Sequence, residues 1–204
     1  MKTPKVCVIG LDGVNKQILD LIKLPKSVNR FYSDMYSTIP PYTPPAWTSI
    51  ITGVNPGKHG VYGFYNIKHG QISLTNSFDV KYLRLFEMAD MRKLRSIIIN
   101  LPMTYPFEGI RSLKNTIVVT DWASPVQSVH PKRLLETYDE FLVDPPHNWF
   151  SFLDSNYYVK IVQEYLRTKL NLYYDLLEHF DWDLYFIVFS ETDWLLHRIP
   201  ELLE

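Results

Sequence analysis

Four short apolar runs, separated by segments of helical periodicity, constrain the fold of this 204-residue chain more than any other feature. Each run is compact and rich in β-branched or aromatic side chains, as strands buried in a parallel sheet are. The predicted strands are Val6–Leu11, Arg95–Asn100, Thr116–Asp121 and Asp183–Ser190. Strands that alternate with helices predict an α/β fold, in which a mostly parallel sheet carries helices on both faces.

The segments between these runs contain the predicted helices, one loop and one hairpin. Apolar residues at helical spacing predict helices at Val14–Lys23, Ala46–Thr52, Asp79–Leu94 and Asn156–Phe180. Thr38–Pro45 is rich in proline and threonine and is predicted to be an extended loop, whereas Tyr65–Leu74 is predicted to be a hairpin that turns near His69 and Gly70. We find no internal repeat, low-complexity tract or linker, so residues 1–204 are expected to form a single α/β domain.

Charge and composition limit the partners and the compartment that we expect. The 21 Lys and Arg residues nearly cancel the 22 Asp and Glu residues, so we expect no nucleic-acid polymer as a partner. The longest apolar runs are far shorter than the ~20 residues of a membrane helix, and no signal-peptide pattern opens the chain. The single cysteine, Cys7, is expected to be a buried strand residue in a reducing compartment, which predicts a cytoplasmic protein.

Acidic side chains follow two of the predicted strands at their carboxyl ends, where ligands bind in open α/β sheets. Asp12 follows the first strand, and Glu191-Thr192-Asp193 follows the last. An acidic residue there would meet a bound cation, although an aspartate just after a strand is more often a helix cap.

A second pattern joins Asp193 to His197. Their i, i+4 spacing places a carboxylate and an imidazole on one face of a helical turn. Both groups are good ligands for Zn²⁺ or a similar divalent cation. The alternative is a plain surface pair, and the position of Asp193 after a strand makes the two interpretations about equal.

Thr43 lies just before a predicted helix, and Pro44 or Pro45 suits the first turn of that helix. A threonine at this position is normally an N-cap. The same position would place the hydroxyl at the positive end of a helix dipole, where phosphate groups are stabilised. A hydroxyl that also bonds a metal loses its proton more readily and becomes a nucleophile. Spacing alone leaves both roles open.

Together these motifs resemble type I phosphodiesterases and nucleotide pyrophosphatases, a family of the alkaline phosphatase superfamily. The segment from Thr43 to Val61, Thr-Pro-Pro-Ala-Trp-Thr-Ser-Ile-Ile-Thr-Gly-Val-Asn-Pro-Gly-Lys-His-Gly-Val, is similar to the nucleophile region of the family. Ile9-Gly-Leu-Asp12-Gly matches its first metal-binding aspartate, and Glu191-Thr-Asp193-Trp-Leu-Leu-His197 matches its Asp-x-x-x-His metal pair. Asn100-Leu-Pro-Met-Thr-Tyr-Pro106 looks like a segment common in microbial members. The resemblance spans nearly the whole chain in the right order.

The resemblance implies an alkaline-phosphatase-like core and a metal-dependent phosphoric-ester hydrolase of phosphodiesterase or nucleotide pyrophosphatase type. Thr43 would attack phosphorus and form a phosphothreonine that water then hydrolyses. Asp12 and Thr43 would contribute to one divalent metal ion, and Asp193 and His197 to a second one. The mixed donor set favours Zn²⁺, with Mn²⁺ as the alternative. The expected substrate is a small phosphate ester.

Two departures from the family pattern qualify these expectations. Ala46 stands where many nucleotide pyrophosphatases have an asparagine that hydrogen-bonds a phosphoryl oxygen. The family also has an Asp-His pair and a further metal-binding histidine well beyond Asp193, so the chain is expected to be the N-terminal part of a longer catalytic domain, weakly active and prone to form a homo-oligomer. Two alternatives remain: a phosphomutase of the same superfamily, or a non-catalytic domain that keeps the fold.

The remaining histidines and one aspartate are expected to have structural roles. His59 is expected to support its loop, His69 to lie in the hairpin turn, and His130-Pro131 to enter a helix. His147 and His179 are expected at the surface. Asp121 is expected to cap a turn, with a position lining the pocket as the alternative.

Overall fold

The computed structural model describes residues 4–21, 31, 33–68 and 70–203. The strands are β1 (Val6–Leu11), β2 (Tyr65–Lys68), β3 (Gln71–Leu74), β4 (Ser96–Ile99), β5 (Thr116–Val119), β6 (Val129–His130) and β7 (Leu184–Phe189). The helices are α1 (Lys16–Leu21), α2 (Thr43–Thr52), α3 (Pro56–His59), α4 (Leu85–Met91), α5 (Leu135–Tyr138), α6 (Ser155–His179) and α7 (Glu191–Arg198), with short 3₁₀ turns between several of them.

Five of these strands form one sheet in the order β1-β7-β4-β5-β6. The four strands predicted from the apolar runs are mutually parallel, and only the two-residue β6 is antiparallel. The strands β2 and β3 form the predicted hairpin as a separate two-stranded sheet. The prediction of a mostly parallel α/β sheet is therefore confirmed; His69 of the predicted turn lies outside the described residues.

Helices cover both faces of the sheet, as predicted, because successive strand residues point to opposite sides. On one face, Ile97 and Ile99 of β4 pack with Leu172 and Leu176 of α6. On the other face, the intervening Ile98 packs in a second cluster with residues of α2 and α4, namely Trp47, Ile51 and Phe86. The sheet is thus the middle layer of three.

The expectation that Cys7 is buried is wrong. The strand β1 lies at the edge of the sheet and pairs only with β7, so one side of it has no neighbouring strand among the described residues. Cys7 is exposed, and Val6 and Ile9 are 49% and 63% exposed. An apolar run predicts a strand, but it does not tell whether that strand is central or at the edge.

Several predicted boundaries also shift. The helix α2 begins at Thr43, so Pro44 and Pro45 lie in its first turn and not in an extended loop. Prolines fit there because amides of the first turn have no acceptor within the helix. The long helix predicted over Asp79–Leu94 is reduced to α4. His130 ends β6, and Pro131 is the N-cap of a 3₁₀ turn that leads into α5, which agrees with the helix entry predicted at His130-Pro131. The helix predicted over Val14–Lys23 is α1, which ends at Leu21; residues 22–23 lie outside the described part of the chain.

Among the described residues, no helix is both long and apolar enough to cross a membrane.

Candidate active site

The carboxyl ends of β1 and β7 bring the first and last motifs of the sequence together. The two strands are parallel and in register from Val6 opposite Leu184 to Leu11 opposite Phe189. The backbone N–H of Asp12 continues this pairing by donating to the Phe189 carbonyl at 2.9 Å. Thr192 Oγ1, from the first turn of α7, donates to the carbonyl of Asp12 at 2.6 Å. These two hydrogen bonds hold the backbone of Asp12 against the end of β7 and the start of α7.

The carboxylate of Asp12 is nearly buried and is held by two side chains from α2. Trp47 Nε1 donates to Oδ1 at 3.1 Å, and Thr43 Oγ1 donates to Oδ2 at 3.4 Å. Asp12 does not cap the following helix, because Asn15 Oδ1 accepts the N–H of Ile18 and fills that role. The carboxylate of Asp12 therefore bonds side chains of α2 and not the helix that follows it in the sequence.

The approach of α2 to β1 depends on Gly10. A β-carbon at Gly10 would lie 2.3 Å from Cη2 of Trp47, so only glycine lets the indole approach the strand this closely. This close packing brings the indole N–H within reach of Asp12. Packing of Trp47 on β1 thus requires a glycine at position 10.

Thr43 is the first residue of α2 and is not its N-cap. The N-cap is Tyr42, whose side chain makes no capping hydrogen bond, and the cap interpretation of Thr43 is therefore wrong. Thr43 is partly exposed, and its hydroxyl bonds Asp12 across the chain instead of bonding a backbone amide of its own helix. The hydroxyl consequently lies at the positive end of a ten-residue helix.

Asp193 and His197 lie on one face of α7, as their spacing predicts. Asp193 Oδ2 and His197 Nε2 are 3.6 Å apart, and the imidazole is 57% exposed. The ring of His197 stacks on Trp149 with centroids 5.4 Å apart and an interplanar angle of 3°. This stacking fixes the plane of an otherwise exposed imidazole.

The pKa values of both aspartates at this candidate site are raised. Burial, followed by the negative charge of Asp193, raises the pKa of Asp12 to about 6. Burial raises the pKa of Asp193, while the neighbouring His197 opposes that rise. A desolvated carboxylate that is also affected by the negative charge of a second one favours a cation nearby.

The side chains of this candidate site are of the types that bind divalent cations, but the described ones are too few to form a complete metal site. Carboxylate, hydroxyl and imidazole groups are ligands that Zn²⁺ and Mn²⁺ accept. Within the described part of the chain, however, no group of three or more His, Cys, Asp or Glu residues is arranged to hold a metal ion. Asp12 with Thr43, and Asp193 with His197, thus offer two ligands each.

The residues of this candidate site lie within a region that matches a protein-family model. The model of type I phosphodiesterase / nucleotide pyrophosphatase matches residues 6–204. The chain belongs to this family. The match covers both halves of the site, from the strand before Asp12 to the helix that carries Asp193 and His197.

A solved structure supports the fold of this type I phosphodiesterase family member. The phosphonoacetate hydrolase from Sinorhizobium meliloti 1021, in complex with phosphonoacetate, superposes with a TM-score of 0.60 at 14% sequence identity. The alignment covers 98% of this chain and 52% of the hydrolase, so the chain spans about half the length of that enzyme. A comparison with curated protein sequences gives no significant match.

Other polar residues near the family motifs have structural roles. His59 is fully buried, accepts the N–H of Val61 on Nδ1 and contacts Ser49 Oγ through Nε2, so it supports its loop as expected. Asp121 accepts the N–H of Ala123 in the turn after β5. Glu191 faces the interior and not the site, and burial raises its pKa to about 7. The remaining two described histidines, His147 and His179, are exposed as predicted.

Sequence reasoning missed three residues that shape this site, namely Trp47, Thr192 and Trp149. Trp47 follows Thr43 by four residues, so helical spacing alone would have placed both on one face of α2. Thr192 lies between Glu191 and Asp193, and its position in the sequence does not indicate its hydrogen bond to the Asp12 carbonyl. Trp149 is 48 positions before the histidine on which it stacks, and no local pattern indicates such a contact.

Proposed function

We propose that this chain carries the nucleophile half of a metal-dependent phosphoric-ester hydrolase of phosphodiesterase or nucleotide pyrophosphatase type. The proposal combines membership of the family with the hydrogen bond from Thr43 to Asp12. That contact carries the proposal, because it joins the two motifs that the family uses for nucleophile and metal although 31 positions separate them.

In the proposed reaction Thr43 Oγ forms a bond to phosphorus while the bond from phosphorus to the ester oxygen breaks. The alcohol leaves with a proton, and water later hydrolyses the phosphothreonine. The position of Thr43 at the start of α2 supports this role, because the positive end of the helix dipole stabilises negatively charged phosphoryl oxygens. The hydroxyl proton is directed at Asp12, which keeps the oxygen lone pairs free for phosphorus.

Two divalent cations, Zn²⁺ in the first place and Mn²⁺ as the alternative, would supply activation of the attacking oxygen and stabilisation of the leaving one. Asp12 and Thr43 would contribute to one cation, and Asp193 and His197 to the other. Trp47 and Thr192 support this arrangement, because they hold the side chain and the carbonyl of Asp12. Trp149 also supports the arrangement, because it stacks on His197 and fixes the plane of the imidazole.

The donor count also supports the proposal that residues 1–204 are the N-terminal part of a longer catalytic domain. A catalytic zinc usually has three protein ligands, and each pair described above has two. The matched hydrolase is about twice as long as the aligned region, which leaves room for further ligands in a relative of that size. A cytoplasmic location and a homo-oligomer remain predictions.

A non-catalytic domain that keeps the fold is the second candidate, and the incomplete set of metal ligands among the described residues favours it.

A phosphomutase of the same superfamily differs from the hydrolase only in the acceptor of the phosphoryl group. In a hydrolase that acceptor is water, whereas in a mutase it is a second hydroxyl of the substrate.

The test uses the polypeptide encoded by the whole reading frame, with bis(p-nitrophenyl) phosphate, p-nitrophenyl phosphate and phosphonoacetate as substrates and Zn²⁺ or Mn²⁺ added. We expect turnover of an aryl ester. Thr43→Ala should abolish it and Thr43→Ser should retain part of it, because serine keeps the nucleophilic oxygen.

Both variants should fold, since the lost hydrogen bond contributes only about 1 kcal/mol. Undiminished turnover by a folded Thr43→Ala variant would exclude Thr43 as the nucleophile. No turnover of any ester by the folded wild-type protein with either metal would favour the non-catalytic domain.

A further inference from the structure

A cavity of about 640 Å³ lies at the end of the sheet opposite the candidate active site. Ser96 and Thr116, the first residues of β4 and β5, line it. Asp12 and Asp193 follow the carboxyl ends of strands parallel to these two. The cavity and the active site are therefore separated by the length of the strands, about 13 Å for four residues. Its volume lies in the range of small-molecule sites.

Part of the cavity lining is apolar, and this part is called the floor below. It is formed by side chains from the start of the two strands and from the segments beside them, namely Ile97, Leu113, Ile117, Pro131 and Phe180. Ile97 belongs to the main core, and Ile117 and Phe180 pack against that core, so the floor is a fixed surface. Such a floor fits the hydrophobic body of an organic molecule.

Basic side chains surround this floor. Four of the lining residues are cations, namely Arg95, Arg111, Lys114 and Arg133. His130 also lines the cavity, and its Nε2 donates to the Leu113 carbonyl at 3.2 Å. The single acidic residue in the lining is Asp181.

Two of the four cations have acidic partners. Arg95 contacts Asp181 at 2.7 Å and Asp183 at 3.4 Å. Arg111 lies 3.8 Å from Glu87 and donates to the carbonyls of Val80 and Lys81.

Lys114 and Arg133 are different. Neither side chain has an ion pair or a hydrogen bond within the described part of the chain, and both are exposed at the cavity. Asp90, a buried acid of α4, accepts bonds on its carboxylate from Ser112, Thr116 and the N–H groups of Lys114 and Asn115. Asp90 is thus occupied by these donors, and the two cations remain available to a ligand.

One further polar group in the wall has no partner. Ser96 is 1% exposed, and its hydroxyl makes no hydrogen bond among the described residues. A buried hydroxyl without a partner is uncommon in a folded protein. The Ser96 oxygen has essentially no accessible surface, however, so it contributes no contact to a ligand in the cavity.

The geometry points to a second ligand site here, for a small organic anion that combines an apolar or aromatic body with a phosphate, sulfonate or carboxylate group. The body would lie on the floor around Ile117 and Phe180. The anionic group would lie between Lys114 and Arg133, which would form charge-assisted contacts with it. The site does not depend on the proposed hydrolase function, since it shares no residue with the active site.

The experiment is a fluorescence titration of the 204-residue chain with 8-anilinonaphthalene-1-sulfonate, an aromatic anion whose emission rises on binding. N-phenyl-1-naphthylamine, which has a similar body and no charge, is titrated in parallel. We expect the anion to bind one site per chain and the neutral dye to bind at least about tenfold more weakly, because it lacks the charge-assisted contacts.

The double variant Lys114→Ala/Arg133→Ala should weaken binding of the anion by about tenfold or more and leave the neutral dye unaffected. The matched control, Lys160→Ala/Arg167→Ala, removes two exposed cations of α6 that lie outside the cavity lining, and it should leave both affinities unchanged. Equal affinity for the two dyes, or equal weakening by the two double variants, would overturn the site.

Discussion

Gly13 packs directly against Asp193, so that the first and last motifs of the sequence touch. A β-carbon at Gly13 would lie 2.8 Å from Asp193 Oδ1 and 3.0 Å from its Cα. Gly13 also has a φ of +72°, a conformation that costs other residues energy. The missing β-carbon and the positive φ of Gly13 therefore set the distance between β1 and α7. That distance in turn sets the spacing of the carboxylates of Asp12 and Asp193.

Replacing Gly13 should consequently destabilise the protein more than replacing a glycine that has only the unusual φ. We expect Gly13→Ala to lower the free energy of unfolding by about 3 kcal/mol, from backbone strain together with overpacking against Asp193. Gly53→Ala is the matched control, since Gly53 has a φ of +69° and no atom within 4 Å of its β-position. The control should cost only about 1–2 kcal/mol in urea denaturation. Equal losses would show that the contact with Asp193 imposes no constraint.

Asp121 should make the protein less stable as the pH rises. Burial raises its folded-state pKa to about 6 from the ordinary 3.8, so the folded protein binds the proton more tightly than the unfolded chain does. The stability that this proton provides is complete below pH 3.8 and is lost as the pH rises through 6. Asp121→Asn should therefore gain stability relative to wild type, by about 2–3 kcal/mol, between pH 4 and pH 7. A difference that stays constant over this range in denaturant titrations would contradict the pKa.

His59 should show the opposite trend. Burial lowers the pKa of its imidazole from 6.5, so the unfolded chain binds a proton that the folded protein resists. The contribution of His59 is present above pH 6.5 and is lost as the pH falls through the folded-state pKa. His59→Gln should therefore be less stable than wild type at pH 8, because Val61 loses its acceptor, and this deficit should shrink toward pH 5. Thermal unfolding at both values measures it, and a deficit that grows on acidification would exclude a buried neutral imidazole.

The sheet could be predicted from the sequence because its strands leave local signals. Val6–Leu11 is the strand that the apolar run predicts, and Leu184–Phe189 lies within the predicted Asp183–Ser190. The order of the strands leaves no such signal. β1 pairs with β7 across nearly the whole chain, and the exposure of Cys7 follows from that long-range pairing. The strand β6 was missed because two residues cannot show a period.

The site was predictable where motifs are local and not where contacts are distant. Asp193 and His197 share a helix face because they are four residues apart. The role of Thr43 was left open because its spacing from the helix fits an N-cap and a nucleophile equally well. Tertiary packing of α2 on β1, through Gly10 and Trp47, decides that Thr43 contacts Asp12.

The 204-residue chain should bind Zn²⁺ only weakly. Each pair, Asp12 with Thr43 and Asp193 with His197, supplies two ligands, whereas a zinc site usually has three or four from the protein. Calorimetric titration should give a Kd weaker than about 1 µM, which corresponds to less than about 8 kcal/mol of binding free energy. His197→Ala should remove binding at the second pair, while His179→Ala, at an exposed histidine of α6, is the matched control and should change little. Two tight sites per chain would mean that this chain supplies ligands beyond these four residues.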